Sequence, residues 1–487
     1  MSGSDLLLPD QMTLAGAGEA LAGVLELRAG ARREYDRVYY DTFDGLLHAA
    51  GLSLVHEDGH LSLVNRETGL AQAALAVARP GRPLFVTELA PGPLREALQD
   101  LADVRALLLL VHLRSHVRPM SVLDGEQKTV VRLALEEAVV AGPAAAGSRL
   151  RPRLRVTAVR GYDKARRDVQ ATLVQSLAFK PIDETLVDEA VRVAGGVPGG
   201  FRTKIELPLR SEERADTAAA AVLRTLLEVI EANVDGTVAD LDSEFLHDFR
   251  VSVRRTRAVQ RELKAVFPPA ELERFRAEFR WLQQATGDAR DLDVHVLEFD
   301  AMRDLVGRPG YESMRGDLDP LLDVLRARRE KAHRQVVAAL RSERATGLLS
   351  SWRTFLDGLE AANESDRPAA ARPIGEVAGK RIRKVYRRMV RMGDAIDESS
   401  PAEDYHELRK KGKELRYLLE LFGAPLYPAD VVKPMIKTLK SLQDVLGRHQ
   451  DREVQVALVR SLGPEVATAE GAEAALMAMG ALVGRLA

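Results

Sequence analysis

The 487-residue chain contains no cysteine. That excludes disulfides and thiolate metal sites, and it fits a reducing cytoplasm as the expected location. Tryptophan occurs twice and aromatics make up 5% of the residues. Base stacking, the usual companion of single-strand binding, therefore has little to work with, which argues against a nucleic-acid partner. Apolar runs such as Ala106 to Val111 are far too short to span a bilayer, so no membrane partner is expected. The N-terminus has no basic region followed by an apolar core, and no secretory signal is expected. Net charge is only −2, so no global field marks a partner. Phosphate-cradling Gly-x-x-x-x-Gly-Lys-[Ser/Thr] loops, nucleophile elbows and dinucleotide fingerprints are all missing.

What is present is charge placed unevenly. Two stretches about 160 residues apart carry a histidine heading a helix with one basic face: His247-Asp-Phe-Arg250, continuing through Arg254, Arg255 and Arg257 to Arg261, and His406-Glu-Leu-Arg409, continuing through Lys413 to Arg416. In both, a basic residue follows the histidine at +3, +7 and +10. At about 3.6 residues per turn these offsets fall within an arc of about 80°. Apolar residues lie roughly opposite: Phe249, Leu263 and Phe267 in the first copy, Leu408, Leu415, Leu419 and Phe422 in the second. Arg255 sits off the stripe and Arg261 on it. A second pair of matching segments follows each histidine, Leu282 to Val294 and Leu442 to Val454, and Arg224 and Arg383 precede the histidines at equal spacing. Three landmarks at nearly constant spacing predict a duplicated helical unit. Residues 380 to 391 add seven cations and no acid, among them Lys380, Lys384 and Arg387.

The first 210 residues have a different texture, with many glycines and prolines and short period-two segments. Val38–Asp41, Leu61–Val64, Leu107–Pro119, Val130–Ala134, Leu150–Arg160 and Thr203–Leu209 are predicted strands, with helices near 94–103 and 183–194 and a turn at Gly195–Gly200. From Asp216 onward the pattern is helical, punctuated by Pro268-Pro269, Pro309-Gly310 and Pro425 with Pro428. The fold class expected is α+β followed by all-α. The domains expected are 1–210 and 212–487, the second divided into a repeat over about 212–361, a linker at 362–375 and a repeat over about 376–487.

The paired histidine helices resemble the CHAD family, the conserved-histidine α-helical domain, over roughly residues 212 to 463. The resemblance implies two pseudo-symmetric four-helix bundles around a basic groove that binds inorganic polyphosphate. It implies a binding surface of His247, Arg250, Arg254, Arg257, His406, Arg409, Lys413 and Arg416, with Arg255, Arg261, Arg224, Arg383, Lys380, Lys384 and Arg387 contributing. It also implies a place on polyphosphate granules or in the control of polyphosphate metabolism. The residue chemistry agrees: guanidinium forks match phosphate oxygens, and each charge-assisted bond contributes roughly 1.5–3 kcal/mol where water is partly excluded. The bland alternative, a solvated cationic face, is weakened because only Asp248 and Glu262 offset the cations between His247 and Lys264. Asp291, Asp293, Asp451 and Glu453 read as partners for nearby arginines rather than metal ligands, and no metal or cofactor is expected.

Tyr39-Tyr-Asp-Thr42, Leu47 and Ala50-Gly-Leu52, with Val130–Glu137 and Lys204-Ile-Glu-Leu, resemble the CYTH family of triphosphate tunnel enzymes. That resemblance implies an antiparallel β-barrel open at both ends that binds a triphosphate and a divalent metal. The chain departs from the family where chemistry matters. The family's opening Glu-x-Glu-x-Lys is replaced by Ser4-Asp-Leu-Leu-Leu-Pro-Asp10, Val55 and His56 stand where the family has arginines, and Arg153–Thr157 replaces an acidic strand. Glu136 alone would hold Mg²⁺ poorly. A degenerate, non-catalytic domain is therefore expected, with a metal-dependent triphosphatase or polyphosphatase and single-stranded nucleic-acid binding as the competing functions. The strand cations His112, Arg114, His116 and Arg118, and Arg149, Arg151, Arg153 and Arg155, hold an anion if they face inward and are ordinary solvated faces if outward.

Overall fold

A computed structural model describes residues 3–203, 205–306, 313–363, 365–397 and 399–486. Lys204, Pro309 and Gly310 lie outside the described residues, as does the side chain of Asp451. The chain divides into two units, Met1–Thr203 and Lys204–Ala487. The division falls before the expected boundary at 210 because residues 205–209 form no strand. Ile205, Leu207 and Leu209 instead pack against the helical core.

The first unit holds ten strands: β1 (Gly3–Leu7), β2 (Leu27–Ala29), β3 (Arg33–Asp41), β4 (Leu52–Glu57), β5 (His60–Asn65), β6 (Ala71–Ala76), β7 (Leu108–Leu123), β8 (Thr129–Val140), β9 (Arg153–Ala158) and β10 (Lys180–Ile182). Its helices are α1 (Leu14–Val24), α2 (Leu46–Ala49), α3 (Pro93–Ala102), α4 (Asp163–Leu177) and α5 (Leu186–Val193). The strands form one antiparallel sheet in the order β10-β1-β9-β8-β7-β3-β4-β5-β6, with β2 added against β7. The expected barrel is thus not closed: among the described residues no pairing joins β10 to β6. The Gly195–Gly200 turn does form. Gly199 and Gly200 adopt positive φ, and a Cβ on Gly45 would sit 2.0 Å from the Gly199 carbonyl, so this close approach needs glycine on both sides.

The strand cations divide by face. His112 and Arg114 face outward and meet Asp36 and Glu34 across β3. On β9, Arg153 is fully buried and held by Glu189 and Asp5, while Arg155 Nε donates to Asp5 at 2.9 Å. Burial pushes the Asp5 carboxyl up, but Arg155 and Arg153 outweigh it and hold it below the usual carboxylate range. A cavity of about 270 Å³ beside them is lined by Arg37, Arg66, Glu57 and Glu136 as well as Arg155. Arg37 pairs with Glu57 (2.7 Å) and Glu136 (2.9 Å), and Arg66 with Asp188 (2.5 Å). The inward cations are therefore neutralised by the unit's own carboxylates. One of those, Asp5, lies on β1, which is not among the strands expected from the sequence.

The second unit is helical: α6 (Ala215–Ala232), α7 (Val234–Val238), α8 (Ser243–Glu262), α9 (Pro269–Ala285), α10 (Gly287–Leu297), α11 (Phe299–Val306), α12 (Ser313–Asp317), α13 (Asp319–Leu340), α14 (Glu343–Gly358), α15 (Ile374–Asp394), α16 (Ala402–Leu418), α17 (Ala424–Leu426), α18 (Ala429–Val466) and α19 (Ala472–Leu486). A five-residue π-helical stretch, Leu419–Gly423, joins α16 to α17. Local rules account for several ends. Asp242 caps α8 by accepting from the Glu244 and Phe245 amides, and Pro269 occupies the first turn of α9. No helix among the described residues is long and apolar enough to cross a membrane.

One apolar core runs from Ala215 to Leu439 through helices of both expected repeats, and includes Phe249, Leu263, Phe267, Leu415, Leu419 and Phe422. It does not divide at the linker. A second core joins α11, α13, the C-terminal half of α18 and α19. The linker is tied into the first core by Arg367. Its fully buried guanidinium donates to Asp216 (3.2 Å) and to the carbonyls of Leu359, Ala362 and Asn363. Without it Asp216 keeps Arg214 (2.8 Å), but the carbonyls of Leu359, Ala362 and Asn363 lose their donor, so Arg367→Ala is expected to destabilise the helical unit by about 1–3 kcal/mol. Urea denaturation followed by tryptophan fluorescence measures this cleanly, because both tryptophans, Trp281 and Trp352, lie in this unit.

Candidate functional site

The two histidine helices, α8 and α16, pack against each other with their apolar faces in the common core. Between them opens a cleft of about 410 Å³. Arg254, Arg257 and Arg261 line it from α8, and Lys410, Lys411 and Lys413 from α16; Gln283 and Tyr417 complete it with two carboxylates, Glu407 and Glu414. Six cations against two acids make an electropositive concavity on a chain whose overall charge is −2.

Positive charge inside the cleft is incompletely neutralised. Arg257 donates to Gln283 Oε1. Burial lowers its affinity for a proton, and repulsion from Arg280, Arg261 and Arg276 lowers it further, with no acid acting against them. The Nε of Arg254 is buried without a hydrogen-bond partner. Such a group costs about 1–3 kcal/mol until an acceptor reaches it. Arg261 behaves differently, spanning the junction to Glu262 (2.9 Å) and Glu414 (3.0 Å).

The remaining residues of the expected surface lie elsewhere. Arg250 is 9% exposed and donates to the Gln283 carbonyl (2.9 Å) and Thr286 Oγ1 (3.0 Å), closing the C-terminal end of α9. Burial lowers its pKa, and Arg254 and Arg290 add to that against Asp291 and Asp288. Its place is therefore structural, not open to solvent as the stripe predicted. Arg224 is tied to Asp357 (2.9 Å) and the Leu356 carbonyl on α14. Arg255 and Arg416 converge on Glu420, at 2.7 and 3.6 Å, and both lie over the Tyr417 ring. Arg255 thereby locks α8 to the end of α16, while Arg416 pairs within its own helical run, and neither lines the cleft. His247, His406 and Arg409 are half-buried on the same helices but outside the lining.

On α15, Lys380, Arg383, Lys384 and Arg387 are exposed, and among the described residues none has an ion-pair partner. They form a separate basic face. Asp293 pairs with Arg329 (2.7 Å) as expected, while Asp291 and Glu453 form no ion pair among the described residues. No group of three or more His, Cys, Asp or Glu able to hold a metal occurs among the described residues.

Sequence reasoning missed Lys410, Lys411, Glu407 and Glu414 because they lie off the +3, +7, +10 stripe. It also missed Arg276 and Arg280 on α9. Their four-residue spacing was a usable signal, since it puts both on one face of that helix.

Residues 221–460 match the family described as the CHAD domain. The helical unit therefore carries a CHAD domain. Two proteins of Mycobacterium tuberculosis, from two strains and each called an uncharacterized protein, are 28% identical over 278 residues, which cover 54% of this chain and 50% of theirs. The chain thus spans about half the length of the curated relatives it matches. Among solved structures, the crystal structure of the CHAD domain from the plant Ricinus communis matches with a TM-score of 0.48 at 25% identity, covering 58% of this chain and 90% of that one. PptA from Streptomyces chartreusis matches with a TM-score of 0.42 at 18% identity, covering 56% and 94%.

The two arginines at successive turns of α8 should behave oppositely. Arg250→Ala is expected to destabilise the helical unit by about 1–3 kcal/mol, because carbonyl and hydroxyl acceptors at the α9 end lose their donor. Arg254→Ala removes a buried unpaired donor and relieves like-charge repulsion, and should leave stability unchanged or raise it by up to about 1–3 kcal/mol. Urea midpoints read by tryptophan fluorescence separate the two.

Proposed function

We propose that the helical unit binds inorganic polyphosphate in the cleft between α8 and α16, without catalysis. The observation that carries this reading is the cleft of six cations against two acids, in which Arg257 is repelled by Arg280, Arg261 and Arg276. A chain of phosphates supplies the missing counter-charge at regular spacing, and guanidinium forks match its oxygens. The CHAD match over residues 221–460 supports the same ligand class through the family resemblance. On this reading the two histidine helices supply the cleft unequally: Arg254 and Arg257 from the stripe of α8, but only Lys413 from that of α16. The exposed face of α15 then offers a secondary run of cations to longer chains. Association with polyphosphate granules or control of polyphosphate metabolism follows as the cellular role.

For residues 1–203 we carry the CYTH resemblance as a proposal: a degenerate triphosphate-tunnel domain whose inward arginines are paired with its own acids. A metal-dependent triphosphatase is the competing reading, and so is single-stranded nucleic-acid binding at the cleft. Purified full-length protein is expected to release no phosphate from triphosphate or polyphosphate with Mg²⁺ or Mn²⁺. Release that disappears in Glu136→Ala would establish the enzyme instead.

Binding itself is tested by titrating polyphosphate against Arg254→Ala with Arg257→Ala, and separately against Lys410→Ala with Lys413→Ala. Each double substitution is expected to cost about 2–3 kcal/mol after discounting for solvent. Wild-type affinity should fall with salt at a log–log slope of about −0.7 per phosphate contact, by analogy with single strands. A slope near zero, or loss confined to one helix's variant at equal stability, would reject a shared site. Displacement of polyphosphate by single-stranded RNA at matched salt would favour the nucleic-acid reading.

A further inference from the structure

Beneath the cleft, two carboxyl groups 152 residues apart in sequence, Glu262 and Glu414, are buried together. Glu262 ends α8 and is 4% exposed; Glu414 on α16 is 7% exposed. A single guanidinium joins them, Arg261 donating through Nε to Glu262 (2.9 Å) and through Nη2 to Glu414 (3.0 Å). Arg381 reaches Glu262 from α15 at 3.1 Å through its Nε, and Lys411 reaches Glu414 from within α16 at 2.8 Å. Among the described residues no other charged side chain is within ion-pair distance of either carboxyl.

We propose that the cleft binds its anion with uptake of a proton at Glu414, which frees Arg261 and Lys411 to turn from that carboxylate to the ligand. The proposal rests on the cleft being an anion site. Glu414, Arg261 and Lys411 all line the same opening. An ionised Glu414 therefore opposes a bound polyanion twice, by repelling it and by occupying two cations that could hold it. A protonated Glu414 does neither.

The electrostatics run in the required direction. Burial pushes the Glu414 carboxyl above the usual carboxylate range; the adjacent Glu262 adds to this, and Lys411 and Arg261 pull against it without prevailing. Glu262 is also penalised by burial, but Arg381 and Arg261 hold it ionised, below the usual range. One member of the pair is thus the anion and the other the proton acceptor. A phosphate chain arriving in the cleft adds negative charge and raises Glu414 further, so proton and ligand are taken up together.

The signs follow. Affinity should fall as pH rises through the raised Glu414 pKa, because the proton that accompanies binding becomes harder to supply. In the free protein the neutral form of Glu414 is stabilising below its folded pKa, and this contribution is lost as pH rises through it. Other titrating groups share the region. His406 lies two turns before Glu414 on α16 and His247 lies on α8, so the bare pH dependence of binding would not isolate the pair. Glu407 lines the same cleft, but its bond to Lys410 holds it below the usual carboxylate range. It supplies the control: a cleft carboxylate that stays ionised.

The experiment compares long-chain polyphosphate binding by the full chain, Glu414→Gln and Glu407→Gln at about pH 8 and about pH 5. Glu414→Gln keeps the shape of the protonated acid. It is expected to bind about tenfold tighter than wild type at the higher pH, the worth of one charge contact, and the gain should shrink at the lower. Glu407→Gln should gain equally at both. A Glu414→Gln gain that persists unchanged at low pH, or no gain at high pH, overturns the proposal. Should the wild type bind no polyphosphate at either pH, the functional reading fails, and thermal unfolding over the same range judges the pair. The Glu414→Gln midpoint should rise relative to wild type with increasing pH, and parallel curves would overturn the assignment of the proton to Glu414.

Discussion

Burial of two amphipathic helix faces in one core is the constraint on which the cleft depends. α8 and α16 carry their apolar residues on the side opposite their cations, and both apolar sides enter the same cluster with α6, α9 and α15. Once Phe249 is committed to that core, the outward direction of Arg254, Arg257 and Arg261 follows from helix geometry, and the crossing of α16 then brings its lysines to the same opening. Hydrophobic burial therefore offsets the repulsion of gathering six cations around one opening. Like charges would otherwise drive the helices apart.

Polar contacts at the helix crossing then choose which cations are free. Arg255 and Arg416 are engaged by Glu420 over the ring of Tyr417, and Arg261 by the two buried carboxyls. Arg250 completes the end of α9, where Thr286 and the Gln283 carbonyl need a donor. The arginines of the two helices thus divide into an anchor, a lock and a remainder that faces the cleft. The division has a simple physical origin: a guanidinium carries five donors and costs energy if buried unpaired, so whichever arginine falls under a neighbouring helix becomes structural.

The same logic operates in the first unit with the opposite result. There the inward arginines of β3 and β9 meet acids from β1, β4, β8 and α5, and each is matched inside the protein. In the cleft of the helical unit the matching is left incomplete. Incomplete matching is what recommends a site for an external anion, since an ion pair already satisfied must be broken before it can serve a ligand.

How far the sequence alone reached is clear from particular residues. The period of the apolar positions determined that α8 and α16 are helices, which faces are buried and that the pattern occurs twice, because helical spacing is a local property. It placed the onset of the helical pattern at Asp216, beside the Ala215 start of α6, but read residues 203–209 as a strand, whereas 205–209 form none. It did not separate Arg250 from Arg254, although both occupy the same stripe, because only the packing of α9 buries one of them. Nor did it find β1 and Asp5, whose strand is too short to show a period and is set by pairing with β9. The pairing of Glu262 with Glu414, and the entry of Lys410 and Lys411 into the cleft, were decided by tertiary structure alone. A helix wheel assigns direction around one axis, whereas a cleft is defined by where a second axis crosses it.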